Sequence, residues 1–185
     1  TLPVRAVSAG NRFVWNDAGE TPNVQLAVVE WGDDKPPLIF EVQNIRRAKD
    51  AESMNAHRGV RVGLVVEGED GYFAGKDGGW FYDNDGNRVK QIRGSGSGDH
   101  IKNFVEVMRS RREEDLNAPI RHAHLSDTPF HLANTSQQLA NPATPDEIDA
   151  VMSTHEDAME TLGRLRELVA AHDVDLARTP MKLGP

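Results

Sequence analysis

The stretch Gln25-Leu26-Ala27-Val28-Val29-Glu30 places Leu26 and Val28 on one side of an extended chain. Arg61-Val62-Gly63-Leu64-Val65-Val66 places Val62, Leu64 and Val66 on one side, with Val65 opposite. A period of two with β-branched residues is the pattern of a strand that buries one face and only partly covers the other. Working outward, residues 4–8, 12–15, 23–31, 37–45, 60–67, 79–82 and 88–92 form short runs rich in Val, Ile, Phe and Trp. Turn residues separate them, among them Gly10-Asn11, Asp17-Ala18-Gly19, Gly32-Asp33-Asp34, Glu69-Asp70-Gly71 and Asn84-Asp85-Gly86. Such spacing predicts antiparallel hairpins; a crossover helix needs a dozen or more residues, and only 46–59 leaves that room.

Beyond residue 97 the period changes. Ile101, Phe104, Val105 and Met108 follow the i, i+3, i+4, i+7 rule, with Ser97 or Asp99 able to cap their helix. Asn117-Ala118-Pro119 breaks the chain, a second helix is predicted over 125–139, and Asn141-Pro142 ends it. Thr144-Pro145-Asp146-Glu147 is a capping signature, with Thr at the N-cap, Pro first and Glu third. One long helix is predicted to follow, with Ile148, Val151, Met152, His155, Met159, Leu162, Leu165 and Val169 on one stripe. Strands first and helices second predict an α+β fold: a large, mostly antiparallel open sheet with helices packed on one face. At 185 residues, without repeats or a long linker, the chain is expected to be a single domain over 1–185.

A net charge of -8 repels phosphate backbones and anionic lipids, so neither nucleic acid nor a membrane is an expected partner. The densest cationic run, Arg109 to Arg112, meets Glu113, Glu114 and Asp115 at once and reads as a solvated helix end. The chain has no cysteine, which removes disulfides and thiol chemistry. No run approaches the roughly 18 apolar residues of a membrane helix. A soluble domain is expected, cytoplasmic unless an export signal upstream would make it periplasmic. Thr1-Leu2-Pro3-Val4-Arg5 is neither an initiator nor a signal sequence, and the chain is expected to be part of something longer.

Gly94-Ser95-Gly96-Ser97-Gly98 has the flexibility of a phosphate loop but neither the dinucleotide nor the P-loop spacing, and Asp99 puts a negative charge where a phosphate would sit. It is expected to be a lead into a capped helix. Of seven histidines, His122, His124 and His131 cluster. On a helix, i and i+2 point apart and no H-E-x-x-H occurs, so no metal site is expected. His124, Thr128, His131 and Thr135 recur at i, i+4, i+7, i+11, and Asp127, His131 and Asn134 share the same spacing. That face is polar but barely charged. It fits a plain solvent face, or histidines bonding nearby carbonyls; the absence of Lys and Glu from the predicted helix equally suits a cleft wall. No G-x-S-x-G elbow exists, and among 29 acidic residues no carboxylate pair is marked out. Asn134-Thr135-Ser136 matches a glycosylation acceptor only formally, since it sits mid-helix.

His100-Ile101-Lys102-Asn103-Phe104, then Val107-Met108-Arg109-Ser110-Arg111, resembles an H-x-x-N-F-(x)-x-V-R-S-R helix. Asp115-Leu116-Asn117-Ala118-Pro119 resembles the loop after it. His124-Leu125-Ser126 with His131-Leu132-Ala133-Asn134-Thr135-Ser136 is similar to a G-H-x-S…H-L-G-N-I-S helix. These motifs belong to the glucose–fructose oxidoreductase, inositol dehydrogenase and MocA group. Arg12-Phe13-Val14-Trp15 with Glu20-Thr21-Pro22-Asn23, Phe40-Glu41-Val42 and the tail Leu183-Gly184-Pro185 resemble further parts of that family's C-terminal domain, so the resemblance spans nearly the whole chain. The helical motif is fairly specific and the strands are weak alone. Ala123 stands where the family usually has Gly.

The family's Rossmann domain with its glycine fingerprint, its Glu-Lys-Pro segment and its Asp-x-x-x-His catalytic segment are not in this sequence. The resemblance therefore implies the C-terminal half of an oxidoreductase that moves hydride between NAD or NADP and a sugar or polyol-like substrate. It implies no catalytic or cofactor residue in this chain, which would be inactive alone. It implies partnership with an N-terminal Rossmann domain, homo-oligomerisation through the sheet, and a cleft wall of His124, Thr128, His131 and Asn134. The alternative is a non-catalytic binding or assembly module that dimerises through the same sheet.

Overall fold

The computed structural model describes residues 1–32, 34–94 and 98–185. In chain order its elements are β1 (Arg5–Asn11), β2 (Val24–Glu30), β3 (Leu38–Gln43), β4 (Leu64–Gly68), β5 (Gly71–Lys76), β6 (Gly78–Tyr82), β7 (Arg88–Arg93), α1 (Gly98–Ser110), a 3-10 turn (Glu113–Asp115), α2 (Ile120–Gln138), β8 (Asn141–Pro142), α3 (Pro145–Met152), α4 (Glu156–Ala170) and β9 (Lys182–Leu183). The α+β class is as expected. The strands fall into two antiparallel sheets rather than one, and the chain divides into two compact units, Thr1–Met54 with Arg121–Pro185, and Asn55–Ile120.

The first unit holds the five-stranded sheet, ordered β3-β2-β1-β9-β8. The β1–β2 register sets Val7 opposite Val28 and Ala9 opposite Leu26, and these side chains share one face. Against it pack Ile148 and Met152 of α3 and Leu162, Leu165 and Val169 of α4, all buried. The alternate residues, Ser8, Gly10, Gln25 and Ala27, are buried too, because α2 covers the other face. Helices therefore lie on both faces of this sheet, where one was expected. The reason is that β2 is buried along nearly its whole length, and the polar residues that alternation reads as solvent-facing bond α2 instead.

Thr144 caps α3 as predicted: its hydroxyl accepts the Glu147 amide while the Glu147 carboxylate accepts from the Thr144 amide. The predicted long helix is two. The Ser153 and Thr154 hydroxyls donate back to the Ala150 and Val151 carbonyls, and His155 takes extended dihedrals as the N-cap position of α4. Its ring lies 2.7 Å from Glu30 Oε1 at the end of β2, and Arg5 donates to the other carboxylate oxygen. Residues 12–15, predicted as a strand, form a loop. Asn23, fully buried, binds both the amide and the carbonyl of Phe13, and Arg12 makes a bidentate pair with Asp17. Residues 46–59 hold no helix; their pairing is the single bridges Arg46–Met54 and His57–Val60, the latter reaching just past that stretch.

The second unit is a four-stranded meander, β4-β5-β6-β7, with α1. Register puts Leu64, Val66, Phe73, Phe81 and Ile92 on one face and Val65, Tyr72, Ala74, Trp80 and Tyr82 on the other. On the second face Ala74 is buried and Val65, Tyr72, Trp80 and Tyr82 are half-buried. Tyr72 stacks on Tyr82, and the Arg58 guanidinium lies 4.1 Å over Tyr72 while donating to Glu67. The first face is open: Leu64, Val66, Phe81 and Ile92 are all 40% exposed or more. α1 forms where the period predicts, yet Ile101, Phe104 and Met108 are exposed rather than buried. Of the predicted glycine-rich lead, residues 95–97 lie outside the described residues, and with them the predicted Ser97 cap; so does Asp33 of the predicted 32–34 turn.

Candidate functional site

α2 follows the breaker Ala118-Pro119 and runs for 19 residues with Pro129 in its interior. Proline has no amide hydrogen, so Leu125 O loses its helical donor. In the turns around it, hydroxyls reinforce the helix from the side: Ser126 donates to His122 O at 2.9 Å, Thr128 to His124 O at 2.7 Å and Thr135 to His131 O at 2.8 Å. Pro129, Ala133, Ser136 and Gln137 are the buried residues of the helix, at the spacing of a single face. Phe130 adds an edge contact, its ring 4.9 Å from that of Phe40 on β3.

The inner face is held by polar bonds. Gln25 Nε2 donates to Ser8 Oγ at 2.9 Å and, more weakly, to Ala133 O at 3.4 Å. Ser8 Oγ donates in turn to Gln137 Oε1 at 2.9 Å, and Gln137 Nε2 donates to Gly10 O at 3.3 Å. Gly10 has to be glycine here, because a Cβ would strike Val24 O and the Gln25 backbone. The same holds for Gly184, whose Cα lies against the Ser136 carbonyl while its amide donates to Ser8 O.

The outer face carries the predicted site residues. His124, His131 and Asn134 are exposed and Thr128 is half-buried. His124 and His131 stand about 10 Å apart along the axis, and Asn134 follows His131 by less than a turn, roughly 5 Å. Among the described residues, no hydrogen bond or ion pair engages the His124 or His131 ring or the Asn134 amide. Each can donate and accept. Thr128 differs, since its proton is committed to His124 O and only its lone pairs remain for a ligand. Among the described residues no three His, Asp or Glu side chains converge as a metal site.

No family model, curated protein or solved structure matches the chain.

Two polar groupings were not foreseen. One is the buried Ser8–Gln25–Gln137 chain, where the only available signal was a glutamine in the middle of an otherwise apolar strand. The other joins Arg5, Glu30 and His155, in which hydrogen bonds from His155 and then Arg5 hold the Glu30 carboxyl below the usual range. His155 sits in the apolar stripe by spacing, and nothing local identifies it as a bond to β2. A shallow depression of about 310 Å³ in the second unit, lined by Gly59, Val60, Arg61, Val62, Gly75 and Lys76, contains none of the predicted residues.

Proposed function

We propose that this chain is the non-catalytic half of an NAD(P)-dependent oxidoreductase of the glucose–fructose oxidoreductase, inositol dehydrogenase and MocA type, acting on a sugar or polyol-like substrate. The observation that carries the reading is the division of α2 into two polar faces with opposite fates. On the inner face the Gln137 amide is consumed by the sheet. The outer polar groups, His124, His131 and Asn134, are exposed and, among the described residues, without a hydrogen bond or ion pair, as a surface for hydroxyl groups requires. Thr128 contributes acceptor capacity beside them. In this chain no dinucleotide fingerprint exists, and α1 carries Asp99 in its first turn beside the one glycine-rich run. The cofactor and the hydride step are therefore assigned to a Rossmann half outside this sequence. Calorimetric titration of this chain with NADH or NADPH is expected to give no micromolar binding; micromolar binding would contradict the assignment.

In the oxidoreductase that contains this chain, His131→Ala is expected to lower kcat or raise KM for a polyol substrate while leaving Tm nearly unchanged. A loss of about 2 kcal/mol or more with normal kinetics would instead make His131 a structural residue.

A second reading, an assembly module, rests on the open face of the four-stranded sheet. Leu64, Val66, Phe81 and Ile92 form an apolar surface of a kind that monomers seldom leave uncovered. We infer that a second copy covers it, a role compatible with the first reading. Light scattering is expected to show a dimer that Phe81→Glu converts to monomer; a wild-type monomer at high micromolar concentration would rule this out.

A further inference from the structure

The two faces of the five-stranded sheet hold their helices by different means. The α3 and α4 side is closed mainly by aliphatic side chains, whose contacts are non-directional, with two charged pairs at its border, Arg164 of α4 to Glu41 of β3 and His155 to Glu30 of β2. The α2 side combines apolar contacts, among them buried Val29, Ala27 and Ala133 and the Phe130–Phe40 pair, with a directional chain of hydrogen bonds. Ser8 is its hub: it accepts from Gln25 and donates to Gln137, and both glutamines also reach a main-chain carbonyl, Ala133 O and Gly10 O. Ser8 and Gln25 are 0% and 2% exposed, so water cannot replace a broken member. Together the bonds tie two levels of α2 to two strands, β2 through Gln25 and β1 through Gln137. The Gln25 bond ends on the peptide link that joins Ala133 to Asn134. The Gln137 bonds end one turn further on.

We propose that Ser8, Gln25 and Gln137 are positioning residues that set the rotation and axial register of α2 on the sheet, and through it the placement of His131 and Asn134. This rests on the reading of the outer face as a substrate wall. Sliding α2 by one residue would turn the outer face by about 100° and carry His131 away from its place. Buried polar groups of this kind contribute little net stability when fully paired, but a change of register leaves them unpaired, which penalises every alternative seating. The role is specificity of position rather than stability.

The two roles separate experimentally. The chain has no cysteine, so spin labels can be placed at Gln138→Cys on α2 and Glu167→Cys on α4 without further change. Electron–electron resonance on the wild-type background is expected to give one narrow distance distribution. Ser8→Ala, a small and tolerated change, is expected to lower Tm and to broaden or displace that distribution. The fully apolar Ser8→Ala/Gln25→Met/Gln137→Met variant removes the groups that Ser8→Ala leaves unpaired. It is expected to recover the Tm lost in Ser8→Ala while the distribution stays broad. Recovery of a single narrow distribution together with Tm would overturn the proposal, as would a narrow distribution in Ser8→Ala. In the oxidoreductase containing this chain, the triple variant is expected to raise KM for the polyol with kcat less affected. If α2 shifts and KM does not, the positioning stands and the outer face is not the substrate wall.

Discussion

The two faces of the five-stranded sheet use the same strands and reach the same burial with a different balance of apolar and polar contacts. On one side Val7, Ala9, Leu26 and Val28 meet Leu162, Leu165 and Val169. On the other Ser8, Gly10 and Gln25 meet Ala133, Ser136 and Gln137. The α3/α4 side gains free energy from each buried methylene and is further tied by the Arg164–Glu41 and His155–Glu30 pairs. The polar side gains little per bond, but its Ser8–Gln25–Gln137 chain is paired in the observed seating. The helix seated by polar bonds is also the helix that presents His124, His131 and Asn134. Stability and geometry are thus carried by different layers of one unit, and substitutions should sort accordingly.

The largest loss is expected on the apolar side. Leu165 is fully buried, and Leu165→Ala should destabilise by about 2–5 kcal/mol, measured by urea unfolding, with α2 still in place. A loss below 1 kcal/mol would mean that the α4 layer is not the main source of stability. Gln25→Met should cost less, roughly 1–3 kcal/mol, because Ser8 Oγ and Ala133 O each lose a donor. If Gln25→Met were the more costly of the two, the comparison would be reversed.

A smaller effect is expected from acid. Glu30 is depressed below the usual carboxylate range by His155 and Arg5, so the folded state favours its ionised form. Its contribution is complete above the ordinary carboxylate pKa and is lost as pH falls through the lower folded value. Glu30→Gln should therefore destabilise the protein at neutral pH and converge with wild type at the acid end of that window. Parallel stability curves across the window would exclude Glu30 as the group responsible.

Much of the fold was legible because local signals and tertiary structure agree. β2, β3 and β7 lie within the runs read from 23–31, 37–45 and, to one residue, 88–92. Thr144 and Glu147 form the capping box their spacing predicts. β5 was missed because Gly71-Tyr72-Phe73-Ala74-Gly75-Lys76 begins and nearly ends in glycine and reads as turn; its partners on both sides make it a strand. β8 and β9 have two residues each and exist only through pairing with one another and with β1. The break at His155 was hidden by a residue that keeps helical spacing and is redirected by Glu30, 125 positions away. The polar face of α2 was legible as a pattern of spacing. What anchors its reverse side was not, since Ser8 and Gln137 lie 129 positions apart and only the folded sheet brings Gln25 between them.

The claim that the outer face of α2 receives a polyol is tested most directly by the histidine rings themselves. In a two-dimensional carbon–proton spectrum of this chain, titration with inositol or glucose is expected to shift the ring signals of His131 and His124 saturably. The signals of His57, His100, His155 and His172 should stay in place. Equal drift of all rings, or no shift at His131 and His124 at any attainable concentration, would contradict the account.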